Sequence, residues 1–353
     1  MLGRVSGFGQ VGSILKVISS PTVVTSSGLY DFTTFTFTNA GATGRNGPTY
    51  AQLLGAYTGS ATWASNTSYF TASIRGIQVW TVPQTATYRL TVAGAAGGNS
   101  PTITSASLLP SGSGSGGFGA YIVTDVSLTQ GQKLAIVVGQ RGGNRYSGSG
   151  ANAFNGASGG GGTFIYDNDT ITYYVAAGGG GGALGAIANL FSTQISASGK
   201  FNTTSGTTIN IGSNFTSSGG TGGNGGGRST RNILYGGPGA GILSSGSASN
   251  GGQGLSRANN WLGGSTGSIA NINGVEGGFG GGGGAVDGDG TLDGNVIAFA
   301  GGGGGYSGGG AGGNSGQSNS SYGGGGGSYY TGSLITGSNN FNQSHGYVTI
   351  TKL

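Results

Sequence analysis

The sequence predicts a mostly β protein in which a β part is joined to a bundle of glycine-rich, polyproline-II-type helices. Three observations carry this. Glycine supplies 87 of 353 residues and recurs in runs such as Gly178–Gly182, Gly280–Gly284 and Gly323–Gly327. Strand-like sequence lies on both sides of the glycine-rich region, at 30–38 and 163–175 before it and in GYVTITKL at the end. The chain also holds 16 Tyr, 14 Phe and 3 Trp, where a disordered linker has few aromatics. Glycine loses about 0.5–1 kcal/mol more than alanine on ordering, so ordered runs need a compensating gain. A polyproline-II helix has three residues per turn and no internal hydrogen bonds. Its N–H and C=O groups point outward and must find partners, and helices without Cβ atoms can approach closely enough to bond one another on all sides. Phe279, Phe299 and Tyr306, at the ends of such struts, would pack around the bundle.

The elements follow in order. Residues 1–28 are Gly, Ser and Val without a clear period and read as an arm or docking segment. YDFTTFTFT (30–38) has β composition. PTYAQLLGAY (48–57) reads as a short helix opened by Pro48. Ile77–Val82 and Thr87–Val92 bracket VPQTAT as strand, turn and strand. Ala120–Leu128 and Lys133–Val138, joined by TQGQ, read as a hairpin, and 163–175 as another with Asp167–Asp169 at its tip. The β part thus spans 29–175 with the first glycine-rich insertions, the glycine-rich bundle 176–344, and a returning strand 345–353.

Several motifs go beyond composition. GATGRNGPTYAQ (41–52), RGIQVWTVPQTATYRLTVAGAAGG (75–98), LTQGQKLAIVVGQRG (128–142), GGFGGGGG (277–284) and HGYVTI (345–350) stand in an order that resembles the membrane-proximal extracellular region of the anaplastic lymphoma kinase and leukocyte tyrosine kinase receptors. The resemblance runs from about residue 36 to the end. It implies a jelly-roll, tumour-necrosis-factor-like β part beside a bundle of glycine helices. The chain has none of that family's cysteines, and it lacks a kinase domain and a membrane span. Those receptors bind basic cytokines through acidic surfaces, whereas this chain carries 8 acidic residues and a net charge of +5, so cytokine binding is not carried over. Related glycine-rich modules occur in tailed-phage surface proteins. The N-terminus lacks a signal-peptide pattern, and that feature, with the cysteine-free composition and the arm, leans towards a virion protein made in the host cytoplasm.

Charge and composition exclude other classes. The 13 basic residues are scattered, which argues against a nucleic-acid surface, and no apolar stretch is long enough to insert in a membrane. Gly305-Tyr306-Ser307-Gly308-Gly309 matches a nucleophile elbow, but that motif needs a strand–turn–helix setting. The one histidine, His345, fits a structural HG pair, and Gly199-Lys200 runs into Phe201 rather than the Ser/Thr of a phosphate loop. The expectation is no enzyme and no cofactor. DGDGTLD gathers Asp287, Asp289 and Asp293 in one loop, the oxygen-rich setting calcium takes; a solvated turn between struts is the plainer reading. Loops on a rigid scaffold suit recognition, and Trp261, Tyr322, Tyr329 and Tyr330 are the aromatic candidates for a polar cell-surface ligand, each weighed against simple packing on the bundle.

The function expected is a structural or adhesive protein on a virion surface, a tailed-phage fibre, spike or decoration protein. The arm would dock to other virion proteins, the β part would assemble as a homo-oligomer such as a trimer, and the loops would meet a host glycan or protein. The alternatives are a secreted receptor-like or extracellular-matrix module binding a protein ligand, and a filament-forming surface protein.

Overall fold

The computed structural model describes residues 28–100, 114–144, 156–183, 198–210, 216–228, 236–266, 274–287, 298–313 and 322–353. It is mostly β, with antiparallel sheets and few helices. In chain order the first elements are β1 (Thr34–Phe37), α1 (Tyr50–Tyr57), β2 (Phe70–Thr71), β3 (Ile77–Thr81), β4 (Ala86–Ala93), β5 (Gly119–Leu128), β6 (Lys133–Val137), β7 (Thr163–Asp167) and β8 (Tyr173–Ala177). Two small pairs follow, β9 (Ile209–Asn210) with β10 (Thr216–Ser217) and β11 (Val286–Asp287) with β12 (Ala298–Phe299). The last strands are β13 (Tyr329–Tyr330), β14 (Ser333–Asn342) and β15 (Tyr347–Lys352).

Two sheets face each other across one core. The first has the order β1-β15-β4-β5-β14 and the second β13-β8-β7-β6-β3-β2. Alternation along β4 turns Tyr88, Leu90 and Val92 inward and Arg89 outward, the pattern of a sheet with one solvated face. The inward residues meet Trp80, Leu134, Ile136 and Ile165 of the second sheet in a common cluster. On the outward face Arg89 and Asp125 form a two-pronged ion pair at 2.9 Å across β4–β5. The guanidinium holds the Asp125 carboxyl below its ordinary range.

The structure corrects two expected hairpins. β3 and β4 lie in different sheets, and so do β5 and β6. Each short connection therefore crosses the sandwich instead of returning beside its own strand. The two crossings pair with each other: the Val82 N–H donates to the Gln132 carbonyl at 2.8 Å and the Gly131 N–H to the Val82 carbonyl at 2.9 Å. Turn residues report a reversal and do not say which sheet receives the next strand. The third hairpin, β7–β8, is present. The edge strand β14 falls inside the stretch read as glycine bundle.

Helix α1 is opened by Thr49, not by Pro48. The Thr49 hydroxyl accepts the Gln52 N–H while the Gln52 side chain accepts the Thr49 N–H, a reciprocal cap. Thr49→Ala is expected to cost about 1 kcal/mol, read as a lower urea midpoint with an unchanged slope.

The glycine segments carry the second half of the architecture. Between 301 and 306 the N–H partners repeat every third residue. Gly301 and Gly304 donate to Ala157 and Gly160, Gly302 and Gly305 to Gly237 and Ala240, and Gly303 and Tyr306 to Gly324 and Gly327, all at 2.8–3.1 Å. Residues 157–162 behave alike: Ala157 and Gly160 donate to Ala183 and Gly180, Ser158 and Gly161 to Gly143 and Gln140, and Gly159 and Gly162 to Gly283 and Gly280. The carbonyls of this segment accept from Ala95, Gly98, Gly278, Gly301 and Gly304. One segment is thus bonded in several directions around its axis, where a β-strand bonds only to neighbours in the plane of its sheet. Side chains would prevent the approach: a β-carbon on Gly161 would overlap the Phe279 carbonyl oxygen, and one on Gly283 the Gly237 carbonyl oxygen.

Candidate functional site

The hydrogen-bond register gives the molecule two poles. β4, β6 and β8 run without interruption into the glycine segments at Gly94, Gly139 and Gly178, so the struts begin at one end of the sandwich. Gly28 and Leu29 lie at the other end, where the Leu29 N–H donates to the Pro83 carbonyl before β4 starts. Away from the two large sheets, the described stretches end at Ser100, Asn144, Ala183, Asn210, Arg228, Thr266, Asp287 and Gly313. Pairings such as Ala157 with Ala183, Gly312 with Ala300, and Val275 with Ala285 place these ends toward the far end of the bundle. On the sheet side the struts are joined by short turns at Ile242–Leu243, Asn259–Trp261, Phe279–Gly281 and Tyr306–Ser307.

Polar side chains fasten the far end. The Asn144 Oδ1 accepts the Asn99 N–H at 2.8 Å, and the Asn99 Oδ1 accepts the Gly116 N–H at 3.0 Å. Ser158 is buried; its hydroxyl accepts from the Gly143 N–H and donates to the Glu276 carbonyl, each at 2.6 Å. These contacts hold neighbouring struts in register where they give way to the connecting segments.

The aromatic candidates are not brought together. Trp261 is fully buried and stacked on Phe164, with ring centroids 3.9 Å apart. With Phe279 it covers the outer face of the six-stranded sheet, against Ile77, Val137 and Ala176, so its ring is packed away from solvent. Tyr329 and Tyr330 sit on β13; Tyr329 stacks on Tyr306 at 5.0 Å, and Tyr330 packs against the main core. Tyr322 is half-buried at the start of the strut 323–327, and burial raises its phenol above the ordinary tyrosine value. Asp287 pairs with Ala298 through the β11–β12 ladder, while Asp289 and Asp293 lie outside the described residues. Among the described residues no group of three or more His, Asp or Glu side chains is poised for a metal ion.

Ser307 stands at a strut-to-strut turn rather than a strand–turn–helix elbow. It is buried and its hydroxyl accepts the Gly223 N–H at 3.0 Å. His345 uses Nδ1 to accept the Arg141 N–H at 3.0 Å. Burial, reinforced by the Arg141 charge, lowers its pKa below the ordinary 6.5. The unfolded chain therefore binds the proton more readily. The stabilisation is complete above about pH 6.5 and is lost as pH falls toward the lower folded value. We expect the melting temperature to fall between pH 7 and pH 5, and His345→Gln to flatten that slope, as followed by calorimetry.

No family model matches the chain. Over 106 residues it is 35% identical to the leukocyte tyrosine kinase receptor of Mus musculus, a match covering 30% of this chain and 11% of that receptor. The aligned stretch is therefore a small part of the receptor's length. Among the described residues no helix is long and apolar enough to cross a membrane. What the comparison establishes is a similarity between part of this chain and a receptor-like region.

Proposed function

We propose that the protein is a non-enzymatic adhesive protein of a virion surface, of the tailed-phage fibre, spike or decoration kind. In this reading the β part is a jelly roll and the glycine segments are polyproline-II-type helices; the three-residue repeat of their hydrogen-bond partners supports the latter. The arm end joins other virion proteins, the β part forms a symmetric oligomer, and the far end displays loops to a host glycan or protein. The observation that carries the proposal is the polarity of the bundle. Its sheet-side turns are short and packed, and the struts run from there to the pole opposite residue 28, where Asn99, Asn144 and Ser158 fasten neighbouring struts. Loops held by a rigid scaffold suit recognition.

Antibodies against residues 1–20 and 314–321 test it on purified particles and on cells from the same source. Serum against 314–321 is expected to label intact particles at discrete positions and to block attachment, while serum against the arm labels only disrupted particles. Label confined to cell surfaces would overturn the proposal. That outcome favours a receptor-like module with a protein ligand, the reading to which the 106-residue similarity points.

A further inference from the structure

The outer face of the six-stranded sheet is only half covered. Trp261 and Phe279 close the part next to the bundle, over Ile77, Val137 and Ala176. Toward the arm end the face stays open and forms a groove of about 340 Å³ between β2, β3, the start of β6 and the β7–β8 turn. Its volume sits at the small end of ligand pockets, about 300–1,000 Å³, which suits a monosaccharide or disaccharide.

The chemistry of the walls narrows the ligand. Ile74, which is exposed, and Val79, which is half-buried, are the apolar side chains of the lining that stay open, a surface for the C–H face of a sugar ring. Around it stand the hydroxyls of Thr67, Ser68, Thr71 and Ser73, and none of the four makes a hydrogen bond among the described residues. The Lys133 ammonium is the one charged group in the lining and has no ion-pair partner among the described residues. No carboxylate lines the groove. Those of the adjacent turn lie outside the lining: Asp167 accepts from the Gln132 side chain and the Asp169 and Thr170 N–H groups, and Asp169 accepts from the Asn168 amide. A phosphate site would converge several cations or backbone N–H groups on one point. Here a single cation stands beside dispersed hydroxyls and an apolar surface.

We propose that this groove binds a carboxylated sugar, with the ring's C–H face on Ile74 and Val79, its hydroxyls exchanging hydrogen bonds with Thr67, Ser68, Thr71 and Ser73, and its carboxylate paired with Lys133. The site lies on the flank of the β part, away from the far end of the struts. It stands or falls independently of the virion reading.

The test is a two-dimensional amide NMR titration of the full chain with methyl β-D-glucuronide and, separately, methyl β-D-glucoside. The uronide is expected to shift the amides of Thr71, Val79 and Lys133 with a Kd of about 1 mM, the neutral glucoside binding about tenfold more weakly. Raising the ionic strength should narrow the gap, because the pair is exposed to solvent. Lys133 is exposed, so Lys133→Gln should keep the native spectrum and remove the preference, while Lys133→Arg should keep it. Absence of shifts up to about 50 mM sugar, equal affinity for both sugars, or shifts confined to other residues would overturn the proposal. Particle labelling by the antibodies above reads none of these quantities, so failure of one proposal is distinguishable from failure of the other.

Discussion

Gly161→Ala is expected to destabilise the protein by about 3 kcal/mol or more, while Gly55→Ala stabilises it by about 0.5–1 kcal/mol. The same exchange has opposite signs because the surroundings differ. Gly55 lies inside α1, and a β-carbon there would meet nothing within 4 Å. Alanine simply lowers the entropy of the unfolded chain and favours the helix. At Gly161 the new carbon would overlap the Phe279 carbonyl oxygen. That oxygen accepts the Gln140 N–H at 2.8 Å, while the Gly161 N–H itself donates to the Gln140 carbonyl at 3.0 Å. Relief of the overlap must separate the struts, leaving buried N–H and C=O groups unpaired at about 1–3 kcal/mol each. Denaturant melts of the two single variants decide the matter. If Gly161→Ala proved neutral, the close lateral packing of the struts would be wrong.

This contrast explains the composition. Each ordered glycine carries an entropic cost, yet positions such as Gly159, Gly181 and Gly303 would each set a β-carbon against a neighbouring carbonyl oxygen. The glycines stay because nothing larger fits between backbones bonded in several directions.

Much of this was legible in the sequence. The alternation in β4 and β15 and the apolar run of β6 mark those strands, and the glycine runs announced a side-chain-free packing. Sheet membership was not legible, because VPQTAT and TQGQ carry ordinary turn residues whether they close a hairpin or cross between sheets. β14 was hidden by its sequence, SLITGSNNFN. An edge strand with little burial needs no hydrophobic alternation, and Leu334, Ile335 and Phe341 remain exposed. The groove was not legible because Thr71, Val79, Lys133 and Asn168 come from four separate stretches that only the sheet order joins. Trp261 misled for a local reason. It is flanked by Asn259 and Asn260, which are exposed, yet the chain turns sharply enough between them to bury the ring.

That turn underlies the last prediction. Asn260 and Trp261 both adopt left-handed backbone angles, with φ of 57° and 59°. A bulky residue rarely does so, and the conformation costs about 1–2 kcal/mol. The surroundings hold it there. The Trp261 N–H donates to the Ser256 carbonyl, and its own carbonyl accepts from Gly280 and Gly281, while the indole stacks on Phe164. Trp261→Ala removes the ring and keeps the strained angle, for an expected loss of about 3–5 kcal/mol. Trp261→Gly removes the ring and relieves the angle. It should therefore be the less destabilised of the two by about 1 kcal/mol, the reverse of the usual alanine–glycine order. Hydrogen exchange should localise the damage to residues 255–284, where Trp261 and Phe279 clamp the glycine segments to the outer sheet face, and spare the Leu90–Ile122–Ile350 core between the sheets. Uniform loss of protection, or an alanine variant more stable than the glycine one, would show that the clamp and its strain are not what joins the two halves.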